Sequence, residues 1–136
     1  MIVGAAVHHV LHVRALDRGC CGSVRGRRRL PIMEDGQVSK TGSCIQVSGG
    51  VGPDGIEMAA DNGLYVCHLN VGVWLFDAHM LPTHLIYSAD RARHDHITNV
   101  ALGGADLKTA CMTEAMSGDV LMARVPVAGK KLFGLS

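Results

Sequence analysis

Residues 52–77 read GPDGIEMAADNGLYVCHLNVGVWLFD, and residues 97–125 read ITNVALGGADLKTACMTEAMSGDVLMARV. The second stretch repeats the outline of the first about 44 to 46 positions later. Each has a turn, a short apolar run, a Gly/Asp/Asn break, a second apolar run, a glycine and a third run. On this reading Asp54 falls on Thr98, Val66 on Cys111, Gly72 on Gly118 and Leu75 on Leu121. Several short strands per unit of this length mark a β-propeller blade. A closed propeller takes roughly four to eight blades. The expected fold is therefore all-β, with about two and a half blades of a ring that the 136 residues do not complete.

Working outward, Leu30–Met33 reads as a strand ended by Glu34-Asp35-Gly36, a turn signal, and Cys44–Val47 as the next. The first full unit holds strands at Ile56–Ala60, Leu64–His68, Val71–Asp77 and Thr83–Tyr87. The second holds Thr98–Leu102, Thr109–Glu114, Gly118–Arg124 and a weaker Lys130–Phe133. Residues 1–27 show no blade pattern and read as a tail, with residues 28–136 forming the blades. Within the tail, Val7, Val10, Leu11 and Arg14 could stripe a short helix, and Arg25–Arg29 is either a basic patch for an anionic partner or a solvated run. Terminal blades of an open ring would leave a bare face and unpaired strand edges, so self-association is expected.

Composition sets bounds. Hydrophobic residues make up 48%, charged residues 18%, and formal net charge is +1, which is a globular balance. The charge gives no electrostatic footprint for nucleic acid. No apolar run nears the ~20 residues that cross a bilayer, so no membrane partner is expected. Five cysteines without a CxxC spacing read as reduced and structural, which suits a cytoplasmic protein. No G-x-S-x-G elbow, dinucleotide fingerprint or P-loop is present.

Pro53-Asp54-Gly55-Ile56, the Asp61-x-Gly63-Leu64-Tyr65-Val66 strand pair, Thr98-Asn99-Val100-Ala101-x-Gly103-Gly104 and Thr113-Glu114-Ala115-x-Ser117-Gly118-x-Val120-Leu121 occur here in fixed order and spacing. In that order they resemble the C-terminal part of the gluconolactonase, senescence-marker-protein and regucalcin family over about residues 28–136. The resemblance implies a six-bladed propeller that hydrolyses sugar lactones or related small cyclic esters with a divalent metal, calcium or zinc. It implies a small-molecule lactone as partner. In that family the metal is held on the ring axis by a Glu, an Asn and the Asp of the P-D-G motif. Only the last has a counterpart here, Asp54; the other donors would belong to blades this sequence does not contain.

Taken alone, Pro-Asp-Gly is also a common turn tripeptide. With the resemblance added, Asp54 is expected to bind the metal and to help deprotonate the attacking water. Thr98, its repeat equivalent, is expected to face the axis and touch substrate or to bond backbone. His68, at a strand end, is a candidate substrate contact or a satisfied structural histidine. His94-Asp95-His96 lacks the spacing of a zinc set. Glu114, at a strand end, either lines the pocket or, by preference, is a rim residue in contact with solvent. Trp74 and Phe76 are expected to pack between blades. A non-catalytic propeller fragment or binding module is the alternative reading.

Overall fold

The computed structural model describes residues 9–14, 26–37 and 42–131. The chain divides into two compact units, Met1–Ser48 and Gly49–Ser136. All ten strands pair antiparallel, and the described residues contain no helix.

The first unit is a three-stranded sheet of β1 (His9–Arg14), β2 (Gly26–Ile32) and β3 (Gly42–Gln46), in that order. The helical stripe expected through Val10, Leu11 and Arg14 is therefore a strand; Val7 lies outside the described residues. The segment contains β-branched Val10 and Val13, which favour extended backbone, and it pairs with β2 from His9↔Ile32 to Arg14↔Arg27. Strand β2 likewise begins earlier than expected and takes in Arg27–Arg29 of the basic run, with a bulge against β3 between Arg27 and Arg28. The Asp35-Gly36 turn forms as expected: Asp35 accepts from the Gln37 N–H at 2.9 Å, and Gly36 sits at φ 79°.

The second unit holds two blades. The first is β4 (Gly52–Met58), β5 (Leu64–Leu69), β6 (Gly72–Phe76) and β7 (Pro82–Ile86), in sequence order across the sheet. The next is β8 (Ile97–Gly103), β9 (Thr109–Glu114) and β10 (Val120–Arg124). Aspartates shape three of the connecting turns. Asp61, Asp77 and Asp106 each accept a backbone N–H two residues on, at 2.9, 2.8 and 3.1 Å. The weak strand expected at Lys130–Phe133 is not one at Lys130 and Lys131, and the rest lies outside the described residues. Instead Gly129 bridges Ala59, and Lys130 donates to the Met58 carbonyl at 2.8 Å, returning the chain to the first blade.

The blades share one core. Tyr65, Cys67, Val73 and Leu75 of the first blade pack with Ile97, Val100, Ala110 and Met112 of the second, joined by Ala59 and Val125. Each Leu-sized side chain buried here contributes about 1.5–3 kcal/mol. Tyr65, fully buried, satisfies its hydroxyl by donating to Val127 O at 2.6 Å. Trp74 and Phe76, expected between the blades, are outside this cluster; alternation along β6 puts them on the opposite face from Val73 and Leu75.

Strand registers refine the repeat. Pro53 pairs with His68 as Ile97 pairs with Glu114, and Leu75 pairs with Tyr65 as Met122 pairs with Cys111. Asp54 stays opposite Thr98 in the repeat. However, Val66 matches Met112 rather than Cys111, Gly72 matches Asp119 rather than Gly118, and Leu75 matches Met122 rather than Leu121. The β8–β9 connection is two residues longer than the β4–β5 turn, with residues 103–109 between Leu102 and its partner Ala110 where 59–63 lie between Met58 and Leu64; a one-residue slip exchanges the faces of a strand. The corrected match explains the exposed face of the second blade. Its rows Asn99–Thr113–Val120 and Ala101–Cys111–Met122 occupy the places that, in the first blade, bury Cys67, Val73, Tyr65 and Leu75. Val120 and Met122 are 65% and 68% exposed.

Candidate functional site

The candidate site lies where each blade's first strand begins. After Pro53↔His68 the β4 pairing resumes at Ile56↔Val66, so Asp54 and Gly55 form a bulge. After Ile97↔Glu114 the β8 pairing resumes at Asn99↔Thr113, so Thr98 forms the matching bulge. Pro-Asp-Gly is thus not a turn but the irregular start of an inner strand. Bulges re-aim side chains and occur beside active sites. Asp54 and Thr98 are both half-buried. The Thr98 hydroxyl meets Thr113 Oγ1 at 3.1 Å and donates to Thr113 O at 3.3 Å. The blades touch closely here: a Cβ on Gly55 would stand 2.3 Å from Asn99 Oδ1 and 2.7 Å from Thr98 O. Asn99 Oδ1 in turn accepts from the Val100 N–H at 3.0 Å.

Behind the bulges sit His68 and Glu114, the buried polar side chains among the described residues, each 2% exposed. They are register equivalents, and each holds the loop above its blade. His68 donates Nε2–H to Gly49 O at 2.9 Å, because a carbonyl only accepts, and its Nδ1 accepts from Trp74 Nε1–H at 3.3 Å. Both ring nitrogens of this candidate substrate contact are therefore occupied within the chain. Glu114 is not a rim residue. Oε1 accepts from the His96 N–H at 3.0 Å, and Oε2 accepts from Met116 N, Ser117 N and Ser117 Oγ at 2.9, 2.5 and 2.8 Å. The Ser117 N–H foremost, then its hydroxyl and the other amides, holds the Glu114 carboxyl below the usual range against the opposing effect of burial.

The loop at residues 88–96 carries two further assemblies that the sequence reading missed. His94 joins Ser88 Oγ through Nδ1 and Asp119 Oδ2 through Nε2, both at 2.9 Å, and Arg93 adds a 3.0 Å ion pair to Asp119. Hydrogen bonds from His94, then Ser117, keep Asp119 below the ordinary carboxylate range. Next, His96 Nδ1 lies 2.5 Å from Asp95 Oδ1, and Asn70 Nδ2 donates to Asp95 Oδ2 at 3.1 Å. The same two partners, His96 first, lower the Asp95 carboxyl. Asn70 lies in the β5–β6 turn and Asp119 in the β9–β10 connection, each 25 residues in sequence from the side chain it meets, so only the fold brings them together.

Donor atoms of Asp95, His96 and Glu114 lie within 4.8 Å of one another, a spacing that could enclose an ion. Their oxygens, however, already accept the N–H and O–H groups just named, so the set reads as a hydrogen-bonded lock. Among the described residues Asp54 belongs to no such group. A hard cation takes six to eight oxygens, so the residues described here do not by themselves complete a metal site around Asp54. Cys44, Cys67 and Cys111 form no disulfide with one another, and Cys20 and Cys21 lie outside the described residues. No described helix is long and apolar enough to cross a membrane.

Comparison with known proteins agrees with this geometry. A solved crystal structure of a protein provisionally named a gluconolactonase superposes with a TM-score of 0.66 at 18% identity, over 79% of this chain and 34% of that one. The chain thus spans about a third of that relative, and the likeness fixes the propeller fold. No curated protein matches the sequence. Residues 29–116 match the family model described as the SMP-30/Gluconolactonase/LRE-like region, which covers both bulges, His68 and Glu114. The chain belongs to the SMP-30/gluconolactonase/LRE-like family.

Proposed function

We propose that these blades belong to a divalent-metal-dependent hydrolase of sugar lactones or similar small cyclic esters, with Asp54 as one metal ligand and Thr98 beside the substrate. The observation that carries this reading is the paired bulge: Asp54 and Thr98 occupy the same aimed position at the same end of adjacent blades. Family membership over residues 29–116 supports the reaction class. When bound, the metal would polarise the ester carbonyl and acidify water. The remaining donors would come from blades beyond those described. His68 serves the site from behind, fixing the Gly49 carbonyl and hence the approach to Pro53 and Asp54.

A non-catalytic binding module is the second reading, favoured because among the described residues Asp54 belongs to no cluster of candidate ligands. Hydrolysis of glucono-1,5-lactone, followed by acid release with calcium, with zinc and with chelator, separates the two. Metal-dependent turnover by the complete propeller supports the hydrolase. Absence of turnover in all three conditions supports the module.

A further inference from the structure

Three described histidines are held in the partly or fully buried network at the blade ends, and they differ in one respect. His68 and His94 each use both ring nitrogens. His96 uses only Nδ1; among the described residues no group bonds its Nε2. Ionised Asp95 can only accept, so the proton between them sits on His96 Nδ1 and Nε2 carries the lone pair. The pair is fixed from both sides. Asn70 donates its side-chain amide to Asp95 Oδ2 and its backbone N–H to Asp95 O at 2.6 Å. The His96 backbone donates to buried Glu114 and accepts from the Ala115 N–H at 3.0 Å. The imidazole remains 30% exposed, two residues before Thr98 and at the same end of the blade.

We propose that Asp95 and His96 form an acid–base dyad, with His96 Nε2 as the proton acceptor for water attacking a small cyclic ester. The substrate class rests on the lactone reading above; the dyad itself rests on the geometry. A base oriented by a third group, with its second nitrogen turned to solvent, is the arrangement general-base catalysis requires. In the step, the water oxygen bonds to the carbonyl carbon while its proton passes to Nε2. The ring C–O bond then breaks, and the imidazolium returns that proton to the leaving alkoxide. Lactone and water become one hydroxy acid, and His96 ends neutral. Asp95 stays ionised and stabilises the transient imidazolium. His68 and His94 spend both nitrogens on the fold, whereas His96 spends one.

The test uses the 136-residue chain and diethyl pyrocarbonate, which acylates unprotonated imidazole nitrogen, with the modified sites mapped by mass spectrometry. His96 is expected to react at least as fast as exposed His79, and well ahead of His68 and His94. At about pH 9, where imidazoles are unprotonated in parent and variant alike, Asp95→Asn should slow His96 roughly three- to tenfold, because the ring loses the carboxylate that orients it and enriches Nε2 in electron density. Long-range 15N–1H spectra of the unmodified chain supply a readout that no folding defect in the variant can blur: Nδ1 protonated, Nε2 not. Reaction of His96 no faster than that of His68, an unchanged rate in Asp95→Asn, or a proton on Nε2 would each overturn the dyad. Those outcomes leave the lactone reading intact. Loss of lactone turnover with normal His96 reactivity sinks that reading instead and leaves the activated imidazole standing.

Discussion

Gly55 and Asn99 pack so closely that neither blade can shift without the other: a β-carbon on Gly55 would lie 2.3 Å from the Asn99 side-chain oxygen and 2.8 Å from its Cα. Two of the three nearest atoms are backbone, so the clash has no flexible side chain to absorb it. Gly55→Ala is expected to destabilise the second unit by about 1–3 kcal/mol, as overpacking does. It should also displace Asp54, its neighbour in the bulge. Urea unfolding monitored by Trp74 fluorescence checks the first effect, and a midpoint equal to the parent's would show that the blades do not meet here.

His68→Leu keeps the volume roughly but strips the Trp74 indole of its acceptor and the Gly49 carbonyl of its donor. Leaving such groups unpaired costs about 1–3 kcal/mol. The near-ultraviolet circular dichroism of Trp74 should change along with the unfolding midpoint. If only catalysis changed while stability and the tryptophan signal stayed put, His68 would be a substrate contact after all.

Acid should loosen this unit in a particular window. The carboxyls of Asp95, Glu114 and Asp119 are all held below their ordinary values by hydrogen bonds in the fold. A depressed folded value means stability that is fully present above the unfolded carboxylate range near ~4 and is lost as pH falls through the folded values. Asp106, paired with Arg124, shifts the same way, but the pair is exposed and adds little. The urea midpoint is therefore expected to fall between about pH 5 and pH 2. Glu114→Gln should lower the midpoint at neutral pH, because its amide nitrogen must face donors, and should flatten the acid slope. A midpoint flat down to pH 2 would contradict the lock.

The bare face of the second blade should drive association. Met122→Lys places a charge in the row Ala101–Cys111–Met122, which matches a buried row of the preceding blade. Sedimentation velocity is expected to show concentration-dependent species for the parent chain and a larger monomer share for the variant. A parent chain that stays monomeric and melts cooperatively would show that this face needs no cover.

The blade repeat was legible because turns and apolar runs recur with the strand period, and those patterns are local. Nine of the ten strand positions follow from it to within a few residues, the exception being β1. The helical stripe near Val10 failed because so short an apolar pattern fits either period, and pairing with β2 decided it. Repeat matching slipped by one residue after Asp54 because the β8–β9 connection is two residues longer than the β4–β5 turn and the matching allowed for only one. Glu114 was misread for a different reason. A carboxylate at a strand end is ordinarily solvated; here the following turn supplies Met116 N, Ser117 N and Ser117 Oγ, and the fold adds the distant His96 N–H. The Asp95–His96 pair was visible as letters, yet the amide of Asn70 that orients it lies 25 residues away.

The central claim is that the Asp54 carboxylate holds a metal needed for ester hydrolysis. The most direct measurement compares Asp54→Ala with the parent in the complete propeller, following lactone hydrolysis under saturating calcium or zinc alongside melting in metal-free buffer. Turnover is expected to fall by several orders of magnitude while the metal-free melting temperature stays nearly unchanged, since Asp54 sits at the β4 register shift and is only half-buried. Retained metal-dependent turnover in Asp54→Ala would contradict the account.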